Sequence, residues 1–198
     1  MGMRRARAAL LFLLALPGPL FIYQGEELGL PEAEVPDDMK QDPQFMRSAG
    51  TMATRDGCRV PLPWIARQPN SGFSSGEPWL PQPPGWDALA ADLQQGDAAS
   101  MLTFYRRALA LRRELAASLD EDFRWRDAPA GCTVLERHAG IGDHLLAACN
   151  FSGSAAVIPA EGQVLLASDT QASITDGRLL LPADSAALLW QRRRPAAR

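Results

Sequence analysis

The stretch from residue 24 to residue 87 constrains the fold more than any other part of the chain, because it has no periodic apolar pattern. It is rich in Pro, Gly and Asp. A structureless loop of this length is uncommon inside a compact domain and is usually either functional or disordered. Trp64, Trp79 and Trp86 favour order, since disordered segments contain few aromatic residues. We therefore expect a loop that is ordered by its surroundings, with no apolar core of its own.

The amino-terminal residues allow two interpretations. A basic start followed by the apolar run 8–16 is typical of a signal peptide, although no A-x-A-like cleavage site follows. Alternatively, residues 4–16 form a buried helix that ends at Pro17-Gly18-Pro19, and Leu20 to Tyr23 form a short buried parallel strand. A helix, a tight turn and a buried strand make up half of a β/α repeat. We favour this second interpretation.

A helical pattern and then a series of short apolar runs follow the loop. Asp97 is placed to cap a helix over 98–119. We expect the arginines on its other faces to be solvated, namely Arg106, Arg107, Arg112 and Arg113. From about residue 123, apolar runs separated by Gly, Asp, Asn and Pro predict a small antiparallel sandwich. Its expected core residues are Val134, Leu146, Val157, Leu165, Leu180 and Leu189, and the arginine-rich end, 192–198, is expected to be frayed.

The composition excludes several classes of partner. With 20 basic residues against 23 acidic ones, the chain has no overall basic surface of the kind that binds nucleic acid. The apolar run before Pro17 is too short to span a bilayer, which takes about 20 residues. Cys58, Cys132 and Cys149 lack the spacing of a zinc site or a disulfide framework. We expect buried thiols in a reducing compartment, and no metal, cofactor, nucleic acid or membrane partner.

Three motifs occur in a consistent order along the chain. They are Tyr23-Gln-Gly-Glu-Glu-Leu-Gly29, Arg55-Asp-Gly-Cys-Arg-Val-Pro-Leu-Pro-Trp64, and Pro78-Trp-Leu-Pro81 followed by Trp86. A helix ending in Ala-Leu-Ala-Leu-Arg-Arg113 comes next. Taken together, these residues resemble the C-terminal part of the α-glucosidase and oligo-1,6-glucosidase branch of glycoside hydrolase family 13, in the α-amylase superfamily. The resemblance runs from about residue 4 to residue 113, and the rest of the chain matches only loosely.

The resemblance implies an α+β fold. Residues 1–119 would be the remnant of the last β/α unit of a (β/α)8 barrel with its long loop, and residues 120–198 a small antiparallel β-sandwich. A complete barrel takes about 250 residues, whereas only 25 residues precede Glu26. The first seven strands, which carry the family's catalytic carboxylates, are therefore expected outside this chain. Because hydrolysis needs two such carboxylates, the chain alone is predicted to be an inactive, cytoplasmic fragment whose partner is the missing part of the barrel.

The resemblance also points to two substrate-binding residues, Arg55 and Arg59. The loop that contains them lines the pocket for the terminal glucose in the family, and its first arginine contacts that sugar and a carboxylate. A guanidinium is a rigid fork of donors suited to carboxylates and hydroxyls. The alternative is that both arginines pin the loop through Asp56 and backbone carbonyls. No catalytic residue is expected among the acidic residues of the loop, namely Glu26, Glu27, Asp37, Asp38, Asp42 and Asp56.

Two other functions remain open on the sequence. The chain could be a secreted carbohydrate-binding β module preceded by a signal peptide. It could also be part of a sibling enzyme, such as a trehalose synthase or a sucrose-converting enzyme, because these share the scaffold and differ largely in the missing part. An α-glucoside is the expected substrate only of a complete enzyme.

Overall fold

The computed structural model describes residues 2–140 and 142–192, so the end that we expect to fray lies, from residue 193 onward, outside the described residues. The chain is α+β, as predicted. Its described helices are α1 (Gly2–Ala15), α2 (Pro43–Arg47), α3 (Ala91–Gln95) and α4 (Met101–Leu115). Its described strands are β1 (Leu119–Arg126), β2 (Cys132–Ala139), β3 (Asp143–Asn150), β4 (Ala156–Pro159), β5 (Gln163–Ala167), β6 (Ser173–Thr175), β7 (Arg178–Leu181) and β8 (Ser185–Gln191).

The strands form two antiparallel sheets. The larger has the order β1-β2-β3-β8-β5, and the smaller has the order β4-β7-β6. Side chains alternate along each strand, so every second one points toward the space between the two sheets. One buried cluster there contains Leu146 and Leu189 of the larger sheet with Ile158 and Leu179 of the smaller. The antiparallel β domain expected from the short apolar runs is therefore present.

Helix α1 packs against β8 and β3 of the larger sheet. Leu11 is fully buried, and four further residues of the helix are also buried. The last carbonyls of a helix have no partners within it, and here Arg112 of α4 donates to the carbonyls of Leu14 and Leu16. Arg137 of β2 donates to the carbonyl of Ala15. The expectation that Arg112 is simply solvated is therefore wrong.

The boundaries of α4 also differ from the prediction. Asp97 accepts a hydrogen bond from the Ala99 N–H within a turn. The helix begins only at Met101, where the Ser100 hydroxyl accepts from the Thr103 N–H. A serine at this position satisfies one of the free N–H groups of the first helical turn, so the cap lies three residues later than expected.

The predicted parallel strand at Leu20 to Tyr23 is wrong for this chain. These residues form neither a helix nor a strand in the described part of the chain, and Phe21 is 90% exposed. A parallel strand needs a hydrogen-bonded neighbour beside it, and the described residues provide none.

The loop contains a small apolar core, contrary to expectation. Val60, Leu80 and Trp86 are buried together with Ala33 and Val35. Short 3₁₀ turns connect the loop segments that contribute these residues, at Glu26–Leu28, Asp37–Met39, Asp56–Cys58, Pro69–Gly72 and Trp86–Leu89. Trp86 is therefore buried within the core of the loop, whereas Trp64 and Trp79 are about half exposed.

The chain divides into two compact units. One comprises the described residues of 1–20 and 104–198, and the other comprises 21–103. Helix α1 belongs to the same unit as the sheets because it packs on them. The domain boundary at residues 119 and 120 stays a prediction about a longer protein.

Candidate substrate-binding site

Asp42 is the centre of the polar cluster in the loop unit. Its carboxylate is 1% exposed and caps helix α2, because Oδ1 accepts from the Gln44 N–H at 3.1 Å. Oδ2 accepts from the backbone N–H of Arg55 at 3.1 Å. One carboxylate therefore holds two segments of the loop that are 13 residues apart in sequence.

The Arg55 guanidinium completes this arrangement. Its Nε donates to Oδ2 of Asp42 at 2.8 Å and its Nη2 donates to Oδ1 at 3.1 Å. This is the bidentate geometry in which an arginine matches a carboxylate best. The hydrogen bond from Arg55, followed by that from the Gln44 N–H, holds the pKa of Asp42 well below its usual range. The same contact raises the pKa of Arg55, so both groups remain charged.

Asp56 holds the backbone at Asp42 in place. Its carboxylate is fully buried, and it accepts the backbone N–H of Gln41 through Oδ1 and that of Asp42 through Oδ2, each at 3.1 Å. The alternative in which Arg55 is pinned through Asp56 is therefore wrong about the partner. Asp56 orients the backbone, and Asp42 orients the arginine.

The two predicted arginines differ in how firmly they are held. Nη1 of Arg59 lies 3.9 Å from Oδ2 of Asp42, which is an ion pair without the geometry of a hydrogen bond. The Arg55 side chain remains 61% exposed even though it is held at Asp42, whereas that of Arg59 is 33% exposed. Arg55 therefore combines a fixed orientation with N–H groups that still face solvent.

A cleft of about 340 Å³ adjoins this pair. Gln44, Arg47 and Met52 line it beside Asp42 and Arg55. Gln44 is held by a hydrogen bond from Nε2 to the Ala53 carbonyl at 3.2 Å. The cleft therefore offers polar donors and one flexible apolar side chain next to the oriented guanidinium.

Two further acidic residues of the loop have structural contacts. Glu27 accepts the Gly25 N–H at 2.9 Å, which closes the turn at the first motif. Asp37 pairs with Lys40 at 2.6 Å on the surface. No group of three or more His, Cys, Asp or Glu side chains within 2–140 and 142–192 is suited to hold a metal ion. In the same ranges, no helix is long and apolar enough to cross a membrane.

The sequence identified the two arginines but not the partner of Arg55. From the sequence, Asp42 is one of the loop carboxylates that are not expected to be catalytic, and nothing next to it in sequence links it to Arg55. The available signal was Asp42-Pro43, because an acidic residue before proline is typical of a helix N-cap.

The α-amylase catalytic-domain family matches residues 1–121. The chain therefore belongs to glycoside hydrolase family 13 of the α-amylase superfamily, and it resembles the C-terminal part of the α-glucosidase and oligo-1,6-glucosidase branch.

Individual relatives agree with this assignment. A probable α-glucosidase of Rhizobium meliloti (strain 1021) is 46% identical over 101 residues, which cover 51% of this chain and 18% of the relative. A probable oligo-1,6-glucosidase 2 of Bacillus subtilis (strain 168) is 26% identical over 92% of this chain and 37% of its own length. The crystal structure of the α-glucosyl transfer enzyme XgtA superposes with a TM-score of 0.80 at 32% identity, over 96% of this chain and 36% of that one. The chain thus spans little more than a third of these proteins at most.

Proposed function

We propose that this chain is the C-terminal part of an α-glucosidase-type glycoside hydrolase that acts on α-linked glucosides in carbohydrate metabolism. In this proposal, residues 1–119 complete the catalytic barrel, and residues 120–198 form its terminal β domain. The family membership and the named relatives support it. We further propose that the complete enzyme is cytoplasmic.

The single observation that carries the proposal is the Arg55–Asp42 pair. Asp42 engages Nε and one N–H of Nη2, which leaves Nη1 and the second N–H of Nη2 available as donors. A guanidinium held in this way loses little conformational entropy when it binds a second acceptor. Arg55 would therefore donate to a hydroxyl of the terminal glucose, and Arg59 would act as a second, less rigid donor.

Hydrolysis requires groups that we place in the rest of a longer protein. Retaining and inverting glycosidases both use two carboxylates that flank the scissile bond. Within the loop, Asp42 and Asp56 are buried and occupied by structural hydrogen bonds. The purified chain should therefore hydrolyse neither maltose, isomaltose nor a nitrophenyl α-glucoside. Activity that survives repurification and is lost on replacing Glu26, Glu27 or Asp56 would contradict this.

A chimera tests the role of Arg55 directly. This chain would replace the matching C-terminal part of the Bacillus subtilis relative, of which it covers 37%, and hydrolysis of nitrophenyl α-glucoside would be measured. Arg55→Ala should lower kcat/KM by on the order of tenfold to a hundredfold, since a charged hydrogen bond to substrate is lost. Arg55→Lys should recover little of this, because an ammonium cannot keep both the bidentate contact and a second donor in place.

Arg106→Ala in the same chimera is the matched control. Arg106 is an exposed arginine on α4, outside the proposed site, so its replacement should leave kcat/KM unchanged. An Arg55→Ala chimera as active as the Arg106→Ala chimera would refute the assignment of Arg55 to substrate binding.

A second candidate function is glucosyl transfer. It is favoured by the similarity to XgtA, which is described as an α-glucosyl transfer enzyme. Hydrolysis and transfer share the donor sugar and differ in whether water or a hydroxyl compound accepts it. Product analysis of the active chimera with and without an added alcohol acceptor distinguishes the two. Glucose as the sole sugar product beside the released nitrophenol, in both cases, favours hydrolysis.

A further inference from the structure

Strand β1 is an open edge of the larger sheet. It is terminal in the strand order, paired with β2 alone among the described strands, and every residue from Asp120 to Arg126 is exposed. An edge strand presents a row of unpaired N–H and C=O groups that can pair with another strand. Trp125 stacks on Phe12 of α1 and remains 57% exposed, so β1 also presents apolar surface.

The charges of β1 are divided between its two halves. Asp120, Glu121 and Asp122 precede Phe123, while Arg124 and Arg126 follow it. We propose that β1 pairs antiparallel with β1 of a second copy of this chain, about a twofold axis at Phe123. Asp122 then lies opposite Arg124 of the second copy, and Asp120 lies opposite its Arg126.

This register is distinguished from its neighbours by charge. Opposed residues of two antiparallel strands point to the same face of the sheet. The register can therefore change only by two residues at a time, which moves the twofold axis by one residue. A shift of the axis to Arg124 places that arginine opposite its own copy, and a shift to Asp122 does the same for the aspartate. Like charges directly opposite each other are unfavourable, whereas opposite charges are favourable. Of these three positions, only the axis at Phe123 places no like charges directly opposite each other.

Contacts within one chain orient the two arginines of the basic half of β1. Glu136 of β2 is 2% exposed and pairs with both Arg124 and Arg126, the latter at 3.2 Å. The two guanidinium groups are thus held on the same face of the strand. Two arginines and one carboxylate together carry one net positive charge, which the acidic half of a second copy would attract.

The irregular part of β1 lies in its acidic half. Pairing with β2 is regular from Phe123 to Arg126 and shifts between Leu119 and Phe123. In the proposed register, the regular part of each copy lies opposite the acidic, irregular part of the other copy. Because a twofold contact uses the same patch on both copies, the assembly closes as a dimer and does not continue as a fibre.

Cross-linking of the full chain tests the register. In a Cys58→Ser background, which removes the exposed native thiol, Phe123→Cys should form an intermolecular disulfide on mild oxidation. Directly opposed residues of antiparallel strands lie within the Cα separation that a disulfide spans. Trp125→Cys is the matched control, because it would lie opposite residue 121 and too far from its own copy. Equal cross-linking at both positions would overturn the proposal.

Sedimentation velocity tests the role of charge. The full chain should show a monomer–dimer equilibrium, and Asp122→Arg should weaken dimerisation by about tenfold or more, because arginine then faces Arg124 of the other copy twice. Asp127→Arg makes the same charge change beyond the end of β1 and should leave the equilibrium unchanged. A chain that is monomeric at its highest soluble concentration, or an association that Asp122→Arg and Asp127→Arg affect equally, would overturn the proposal.

Discussion

Replacing Asp56 with alanine is expected to destabilise the loop unit by about 3–6 kcal/mol, because two hydrogen bonds to a buried carboxylate are lost. The carboxylate is fully buried and accepts the N–H groups of Gln41 and Asp42 at 3.1 Å each. A hydrogen bond to a charged acceptor contributes roughly 1.5–3 kcal/mol, and a buried N–H left without a partner keeps its full desolvation cost. The lower figure applies if water enters the space that the carboxylate leaves.

Urea unfolding of the full chain measures this change through tryptophan fluorescence, to which Trp86 in the loop core contributes. Hydrogen exchange at the amides of Gln41 and Asp42 reports the local effect. Asp37→Ala is the control, since its surface pair with Lys40 should contribute less than about 1 kcal/mol. An Asp56→Ala chain as stable as the Asp37→Ala chain would show that the two hydrogen bonds do not hold the loop.

Three further predictions concern separate parts of the molecule. Leu11→Ala should lower the unfolding free energy by about 2–5 kcal/mol, because Leu11 is fully buried against the sheet. Leu13→Ala should cost far less, because Leu13 is 43% exposed. Equal losses in thermal or urea unfolding would contradict the packing of α1. Burial raises the pKa of Cys149 to about 12, so iodoacetamide at pH 8 should label exposed Cys58 and spare Cys149 until the chain unfolds, as peptide mass spectrometry would show. Arg55 holds the pKa of Asp42 below its unfolded value, so the contribution of the Asp42 carboxylate to stability is complete above about pH 4 and declines as the pH falls further. In acid titrations, the unfolding free energy of Asp42→Asn should therefore fall less steeply than that of the original chain. Identical slopes would speak against the ion pair.

The thiols illustrate how far composition can predict burial. We expect all three cysteines to be buried, since a free cysteine is among the most often buried residue types. Cys149 is fully buried, but Cys58 is exposed. Cys58 lies in the 3₁₀ turn between Arg55 and Arg59, in which the Arg59 N–H donates to the Asp56 carbonyl. Composition contains no information about that turn.

The β domain shows the limit of apolar patterns. Its existence, its antiparallel strands and the burial of Val134, Leu146 and Leu189 agree with the prediction. Val157 and Leu180 are instead about 40% exposed, and their neighbours Ile158, Leu179 and Leu181 fill the core. In an unbroken apolar run either phase of the two-residue alternation satisfies the pattern, so the pairing of β4 with β7 determines which side chains face inward.

The sequence by itself determined the family, the helix that ends before Pro17-Gly18-Pro19 and the antiparallel β domain, and it predicted the two arginines as candidates. Each of these depends on local chemistry, namely proline geometry, short-range periodicity or an ordered set of motifs. Only the tertiary structure decided that Leu20 to Tyr23 lack a strand partner in the described chain, that the loop has its own core, and that Asp42 orients Arg55. These outcomes depend on contacts between residues far apart in sequence, and a local pattern cannot specify which distant residue will supply the hydrogen bond.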